Sequence, residues 1–265
     1  DTLIESFYLM CSLFKHYNIT PIFIFDGKPP ESKREELEKR KQNRIDCEEK
    51  YNVLKQQVGD NITKDQKKEL SYLQRGMTKI NWEDVKAVKE LFDAYGIKYM
   101  TAIGEADVLC ASLVIKKKVY AVLTEDMDLF AYTCPIVLRY FSLANHTCIL
   151  YDLKKILKKL DIDKENFRTL CVLAGNDYYT NDNNIFHYLK IYNRYKKIKN
   201  KPNFMNWLQE TKHLNNDEIE DIVNVLNIYK NVKNELSNYP YTAIRFGNTD
   251  KDTLYSILER DRFVF

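Results

Sequence analysis

Carboxylates stand at the ends of apolar runs throughout the first two thirds of this chain. "IFIF" (22–25) closes on Asp26, "YM" (99–100) leads into Glu105 and Asp107, "VYAVLT" (119–124) into Asp126 and Asp128, and "TLCVLAGN" (169–176) into Asp177. The first three runs are short, apolar and bounded by turn residues, the signature of buried strands. Between them lie segments of helical period. In "NWEDVKAVKELFDAYG", Asn81 is the N-cap candidate, Glu83 and Asp84 sit in the first turn, Gly96 follows the end, and Val85, Val88, Leu91, Phe92 and Tyr95 form one apolar face. "GEADVLCASLVIKKK" is a second helix, with Leu109, Cys110, Leu113 and Val114 turned inward. Alternation of strand and helix constrains the chain to an α/β fold with a mostly parallel central sheet flanked by helices. "IVLRYF" and "TCILY" read as further strands and "DLKKILKKL" as a helix.

Two regions depart from the alternation. Residues 31–79 are dominated by Lys, Arg and Glu, with apolar positions thinly spaced (Leu37, Ile45, Val53, Leu54, Val58, Ile62, Leu70, Leu73). This predicts long, mostly exposed helices without a core of their own, broken near "VGDN" (58–61). After about residue 163 the pattern is helical only. The expected organisation is therefore a core over 1–162, with the helical insertion at 31–79, and a helical region over 163–265 in the same compact domain.

The chain has 265 residues, 45% of them hydrophobic and 30% charged, enough to bury a core beneath a solvated surface. With 7 glycines and 6 prolines, flexible spacers are not expected. No apolar run approaches the ~20 residues of a membrane span, and "DTLIESFYLM" lacks the basic start of a signal peptide. The chain does not open on Met, so further residues are expected upstream. Six scattered cysteines without a CxxC pair read as buried free thiols of a reducing compartment, and the four dispersed histidines argue against a zinc site. Richness in Lys, Asn, Ile and Tyr points to an AT-biased genome, viral or protozoan.

In an open α/β sheet, ligands sit in the crevice at the carboxyl ends of the strands. Asp26, Glu105, Asp107, Asp126 and Asp128 all reach that edge. Six carboxylates converging there, with Asp177, cannot all stay ionised without a cation. Hard oxygen donors without His or Cys select Mg²⁺ or Mn²⁺, and there are enough of them for two ions about 4 Å apart, the arrangement that serves phosphodiester hydrolysis. Each acid also has a structural alternative. Asp26-Gly27 is a common turn pair, Glu105 and Asp107 complement a helix dipole, and Asp126 is a candidate helix cap.

Taken in order, "FDGKPP" (25–30), "GEAD" (104–107), "TEDMD" (124–128) and "GNDY" (175–178) resemble the motifs of the flap endonuclease family of structure-specific 5′ nucleases. The resemblance covers residues 1–180 and weakens beyond. It implies a PIN-like 5′ nuclease fold, with Asp26, Glu105, Asp107, Asp126, Asp128 and Asp177 as metal ligands or acids just behind them. It also implies catalytic cations at Lys33 and Arg40 in "KPPESKREELEKR". Seven residues apart, these face the same side of a helix; a solvated charged face is the alternative. The segment 31–79 then matches the family's helical arch, through which a single-stranded 5′ end threads.

Two departures stand out. The family's first strand carries another metal-binding Asp and lies upstream of Asp1. The family also follows its G-x-D-Y with a Gly-Ile-Gly hairpin that grips duplex DNA around a potassium ion, where this chain has "YYTNDNNIFHYLKIYNRYKKIKNK" and no glycine between Gly175 and Gly247. The basic run Lys190, Arg194, Lys196, Lys197, Lys199 and Lys201 is expected to replace it by side-chain contact with phosphates. The expected activity is Mg²⁺-dependent cleavage of DNA bearing a 5′ flap or junction, by a monomer, in replication or repair. The place is intracellular, in the nucleus or at a cytoplasmic site of viral DNA replication. A 5′→3′ exonuclease on the same scaffold and a non-catalytic junction-binding protein are the alternatives. A sliding clamp is a possible partner, although "ERDRFVF" does not carry the clamp-binding spacing.

Overall fold

The computed structural model describes residues 2–58, 62–200, 202–232 and 246–263. It opens with helix α1 (Leu3–His16), started by a capping box between Thr2 and Glu5, and strand β1 (Ile22–Phe25). A 3₁₀ turn, Glu31–Lys33, leads into α2 (Arg34–Gln57) and α3 (Lys64–Met77). Helix α4 (Trp82–Tyr95) follows, capped by Asn81 through Asp84 and closed by Gly96 at φ 80°. That is the start and stop the sequence shows, since a left-handed C-terminal residue favours glycine. Strand β2 (Lys98–Thr101) and helix α5 (Ala106–Ile115) come next.

Strand β1 pairs with β2 in parallel, Phe25 opposite Thr101. The second ladder holds β3 (Val122–Leu123), β4 (Ile136–Ser142) and β5 (Thr147–Asp152), with β3–β4 parallel and β4–β5 antiparallel. Among the described residues the two ladders share no strand pairing. Helix α5, with Leu109 and Leu113 fully buried, packs on β1 and on β3. The run "VYAVLT" yields only two paired residues, since Tyr120 stands out in solvent and pairing stops soon after Thr124 N donates to the Leu138 carbonyl (3.0 Å).

Short helix α6 (Asp128–Ala131) begins inside "TEDMD". Helices α7 (Leu153–Leu160), α8 (Lys164–Leu173), α9 (Ile185–Lys196), α10 (Phe204–Glu210) and α11 (Asn216–Lys230) complete a large core that runs from Ala111 to Val232. A second core joins α1 and α4 to the final helix α12 (Lys251–Arg260). Periodicity did not single out α10 or α12. All six cysteines are free. Cys148, expected to be buried, is exposed, because it lies on β5, the outer strand of its ladder.

Segment 31–79 folds as expected. No side chain of α2 is buried, and only Leu73 of α3 is. The expected break begins where α2 ends, at an extended Val58; residues 59–61 lie outside the described residues. No described helix is long and apolar enough to cross a membrane.

Candidate active site

The strand ends do bring the acids together. Asp26 directly follows β1, and the loop behind it is pressed onto the loop after β2. Gly27 N donates to the Gly104 carbonyl (2.7 Å), and Lys28 N to that of Ile103 (3.1 Å). A Cβ at Gly27 would lie 2.0 Å from the Ala102 carbonyl oxygen, so only glycine allows this approach. The same contact carries Asp26 to the start of α5, where Oδ1 accepts from Ala106 N (2.8 Å). Asp26 thus also satisfies a helix N-terminus, the structural role open to it from sequence.

Glu105 and Asp107 sit at the first turn of α5. Asp126 caps the next turn, accepting at Oδ1 from Asp128 N (2.7 Å). Glu125, the third acid of "TEDMD", faces elsewhere. Its carboxylate accepts from Tyr140 N (2.5 Å) and pairs with Arg139 (3.4 Å), both on β4.

Lys33, in the 3₁₀ turn just ahead of α2, and Arg40, on α2, converge on Asp177. Lys33 Nζ lies 2.7 Å from Asp177 Oδ2, and an Arg40 terminal nitrogen 2.9 Å from Oδ1. Lys33 also pairs with Glu105 and lies 5.0 Å from the centre of the Tyr178 ring. It is the one lysine among the buried polar residues described. Burial alone would lower its pKa; the hydrogen bonds and charges of Asp177 and Glu105 outweigh that and raise it. Burial would likewise raise Asp177, but Lys33 and Arg40 hold it below the usual carboxylate range.

The acids further from Lys33 behave in the opposite way. Burial, then the charges of Asp126 and Asp26, push Asp107 up to about 7. Burial, with the charges of Asp126 and Asp177, pushes Asp128 up to about 6, against a hydrogen bond from Tyr229. Mutual repulsion in a half-buried pocket marks a shortage of positive charge. The donors are carboxylates alone, the chemistry that suits a hard divalent cation. Among the described residues, no three such side chains gather around one point at ligating distance; Glu105 and Asp177 turn instead to Lys33.

Three tyrosines not named among the expected site residues back this cluster. Tyr178 hydrogen-bonds Glu105, Tyr229 hydrogen-bonds Asp128, and the rings of Tyr132 and Tyr229 lie 4.6 Å apart. Tyr178 was within reach of sequence reasoning through its place in "GNDY"; Tyr229 carries no local motif.

The basic run lies away from the acids in sequence and on a different element. Lys190 and Arg194 are exposed on α9, and Lys197 and Lys199 are exposed just after it. Lys196 points inward, its Nζ 3.0 Å from Asp161 Oδ2 and 3.2 Å from the Leu160 carbonyl at the end of α7. Lys201 lies outside the described residues. The asparagine-rich turn ahead of α9 contains no left-handed residue between Asn176 and Lys199. Its asparagines bond nearby backbone instead. Asn176 accepts from Tyr178 N (2.9 Å), Asn181 from Asn183 N (2.8 Å), and Asn184 caps α9.

Comparison with known proteins agrees with this geometry. The XPG N-terminal domain matches residues 1–47 and the XPG I-region residues 96–177. Flap endonuclease 1 of Encephalitozoon cuniculi is 39% identical over 163 residues, 60% of this chain and 45% of that protein. Flap endonuclease 1-B of Xenopus laevis is 33% identical over 181 residues, 66% of this chain and 45% of that protein. The chain thus spans about half the length of these relatives. Among solved structures, the catalytic core of Rad2 in complex with DNA substrate superposes with a TM-score of 0.66 at 22% identity, over 97% of this chain and 79% of that one, a likeness of fold. With "FDGKPP", "GEAD", "TEDMD" and "GNDY" gathered at one edge of a PIN-like 5′ nuclease fold, the chain is similar to the flap endonucleases over its XPG N-terminal and XPG I-region segments.

Proposed function

We propose that this chain is the nuclease part of a metal-dependent 5′ flap endonuclease. It hydrolyses DNA phosphodiesters near single-strand/double-strand junctions during replication or repair, in the nucleus or at a cytoplasmic site of viral DNA replication. The observation that carries this reading is the meeting of Lys33 and Arg40 on Asp177, beside acids whose pKa values are raised by burial and one another.

Asp26, Asp107, Asp126 and Asp128, with Glu105 and Asp177, would hold divalent cations, Mg²⁺ or Mn²⁺. Such ions supply positive charge against the phosphodiester and assist its attack by water. The chain's own contribution is electrostatic. Lys33 and Arg40 are cations held in place by Asp177, and both would turn to the oxygens of the scissile phosphate when DNA arrives. Arg40 also pairs with Glu36 (2.9 Å), but it is exposed where Lys33 is buried, so it would be the first of the two to reach an incoming phosphate. The segment 31–79 would receive the single-stranded 5′ end, and the exposed cations of α9 the duplex.

The test is single-turnover cleavage of an end-labelled 5′ flap by the full-length protein in Mg²⁺. Asp126→Asn should abolish cleavage and keep DNA binding. Lys33→Ala should slow the chemical step roughly 10²–10³-fold, the usual contribution of a charge placed at the reacting phosphoryl group. Cleavage at the wild-type rate by Asp126→Asn would overturn the assignment. A flap with a blocked 5′ end separates threading endonuclease from exonuclease.

A further inference from the structure

Tyr229 comes from α11, far along the chain from every motif of the site. Its ring is completely buried, packed 4.6 Å from the Tyr132 ring and 5.9 Å from that of Tyr178. Its hydroxyl donates to Asp128 Oδ2 at 2.6 Å. Asp128 in turn holds Asp126, its backbone N–H donating to Asp126 Oδ1 at 2.7 Å. One oxygen of each "TEDMD" aspartate is therefore fixed from behind. The hydroxyl that begins this chain of contacts is delivered by a ring that core packing prevents from turning.

We propose that Tyr229 is a positioning residue: it orients the Asp128 carboxylate, so that Oδ1 is presented to the cation site and the helical C-terminal region is tied to the chemistry of the strand edge. The inference rests on the reading of the site as a metal centre. The physical reason is the usual one for groups behind a ligand. A carboxylate free to rotate loses orientational freedom when it binds a cation, and a neutral donor on its far oxygen removes that cost beforehand without cancelling the charge. A phenol suits this role because it donates one hydrogen bond and stays neutral. A simpler account is that Tyr229 is a core tyrosine whose buried hydroxyl took the nearest acceptor. The two accounts differ in what the hydroxyl affects: cation affinity in one, stability alone in the other.

The experiment is titration of the full-length, metal-free protein with Mn²⁺, followed by calorimetry or by the paramagnetic signal of free Mn²⁺. It compares wild type, Tyr229→Phe and Asp128→Asn. Phe keeps the ring and its packing and removes only the oxygen. Tyr229→Phe should weaken Mn²⁺ binding by about tenfold or more, with a metal-free melting midpoint close to wild type. Tyr229→Met, a second apolar filling of the same space, should reproduce the loss. Wild-type affinity in Tyr229→Phe, alongside weakened binding in Asp128→Asn, overturns the role of Tyr229 and leaves the metal centre standing. Wild-type affinity in Asp128→Asn overturns the metal reading and the inference with it.

Discussion

The carboxylates of this site are held at opposite ends of their range within a few side chains of one another. Asp177 is kept ionised by Lys33 and Arg40, whereas Asp107 and Asp128 are pushed up to about 7 and about 6. The consequences for stability have opposite signs. A lowered acid contributes stability that is present above its unfolded pKa and lost as pH falls through its folded pKa, so the contribution of Asp177 is in place at neutral pH and is lost only in strongly acidic solution. A raised acid binds its proton more tightly in the folded state. Between its unfolded value of 3.8 and its folded value of about 7, Asp107 therefore favours folding less and less as pH rises. The full-length protein in chelator should show an Asp107-dependent fall in melting midpoint between about pH 4 and pH 7. Asp107→Asn, which keeps the shape and cannot ionise, should be more stable than wild type at the upper end of that window and similar at the lower end. Added Mg²⁺ should raise the wild-type midpoint more at high pH, since it meets the charge that burial leaves uncompensated. Parallel melting curves for wild type and Asp107→Asn across the window would show that Asp107 is not held protonated.

At the scale of elements, α2 and α3 are the least anchored part of the described molecule. Helices without a buried face open locally at small cost, because little apolar surface is exposed when they do. With Leu73 the sole buried side chain of the pair, limited proteolysis of the DNA-free protein should cut first within residues 34–77 and leave α4 through α8 intact. A 5′ flap substrate should protect the same segment, and a duplex without a flap should not. First cuts within α4, α5 or α8 would show that the segment is better anchored than its burial implies. The exposure of this segment was legible in the sequence, because charge without apolar period has one physical reading. Helix α4 was legible for a related reason: Asn81 and Gly96 are local signals that act through their own backbone. Strand β3 was overextended, since an apolar run does not say how many of its residues will find a ladder partner. Tyr229 and α12 were out of reach. Period shows which face of a helix is buried, but the acid that a buried hydroxyl meets is settled by packing between segments a hundred residues apart.

Acids gather at the strand edge, while Lys190, Arg194, Lys197 and Lys199 stand exposed on α9 and just after it. Duplex DNA would meet the second set. The family's glycine hairpin grips phosphate by backbone amides, which needs left-handed residues at the turn; here the equivalent turn has none between Asn176 and Lys199, and Asn176, Asn181 and Asn184 accept from the backbone of their own segment. Duplex affinity should therefore come from side-chain cations. Lys190, Arg194 and Lys197 follow one another at helical spacing, with Lys199 just beyond, and all four are exposed. Lys196 is not equivalent, since its ammonium closes the carbonyl end of α7 and pairs with Asp161. Each phosphate neutralised contributes about −0.9 to the slope of log affinity against log salt. Replacing Lys190, Arg194, Lys197 and Lys199 together by Ala should therefore flatten that slope by roughly 3.6 if each meets a phosphate. Lys196→Ala should leave the slope near wild type and lower the melting midpoint, through the loss of the α7 contact. Affinity for a flap duplex in matched KCl and NaCl completes the comparison. Side-chain cations do not distinguish the two salts, so equal affinity is expected. A marked preference for K⁺ would mean that the asparagine turn builds an ion site of its own, and that backbone rather than side chains carries the duplex.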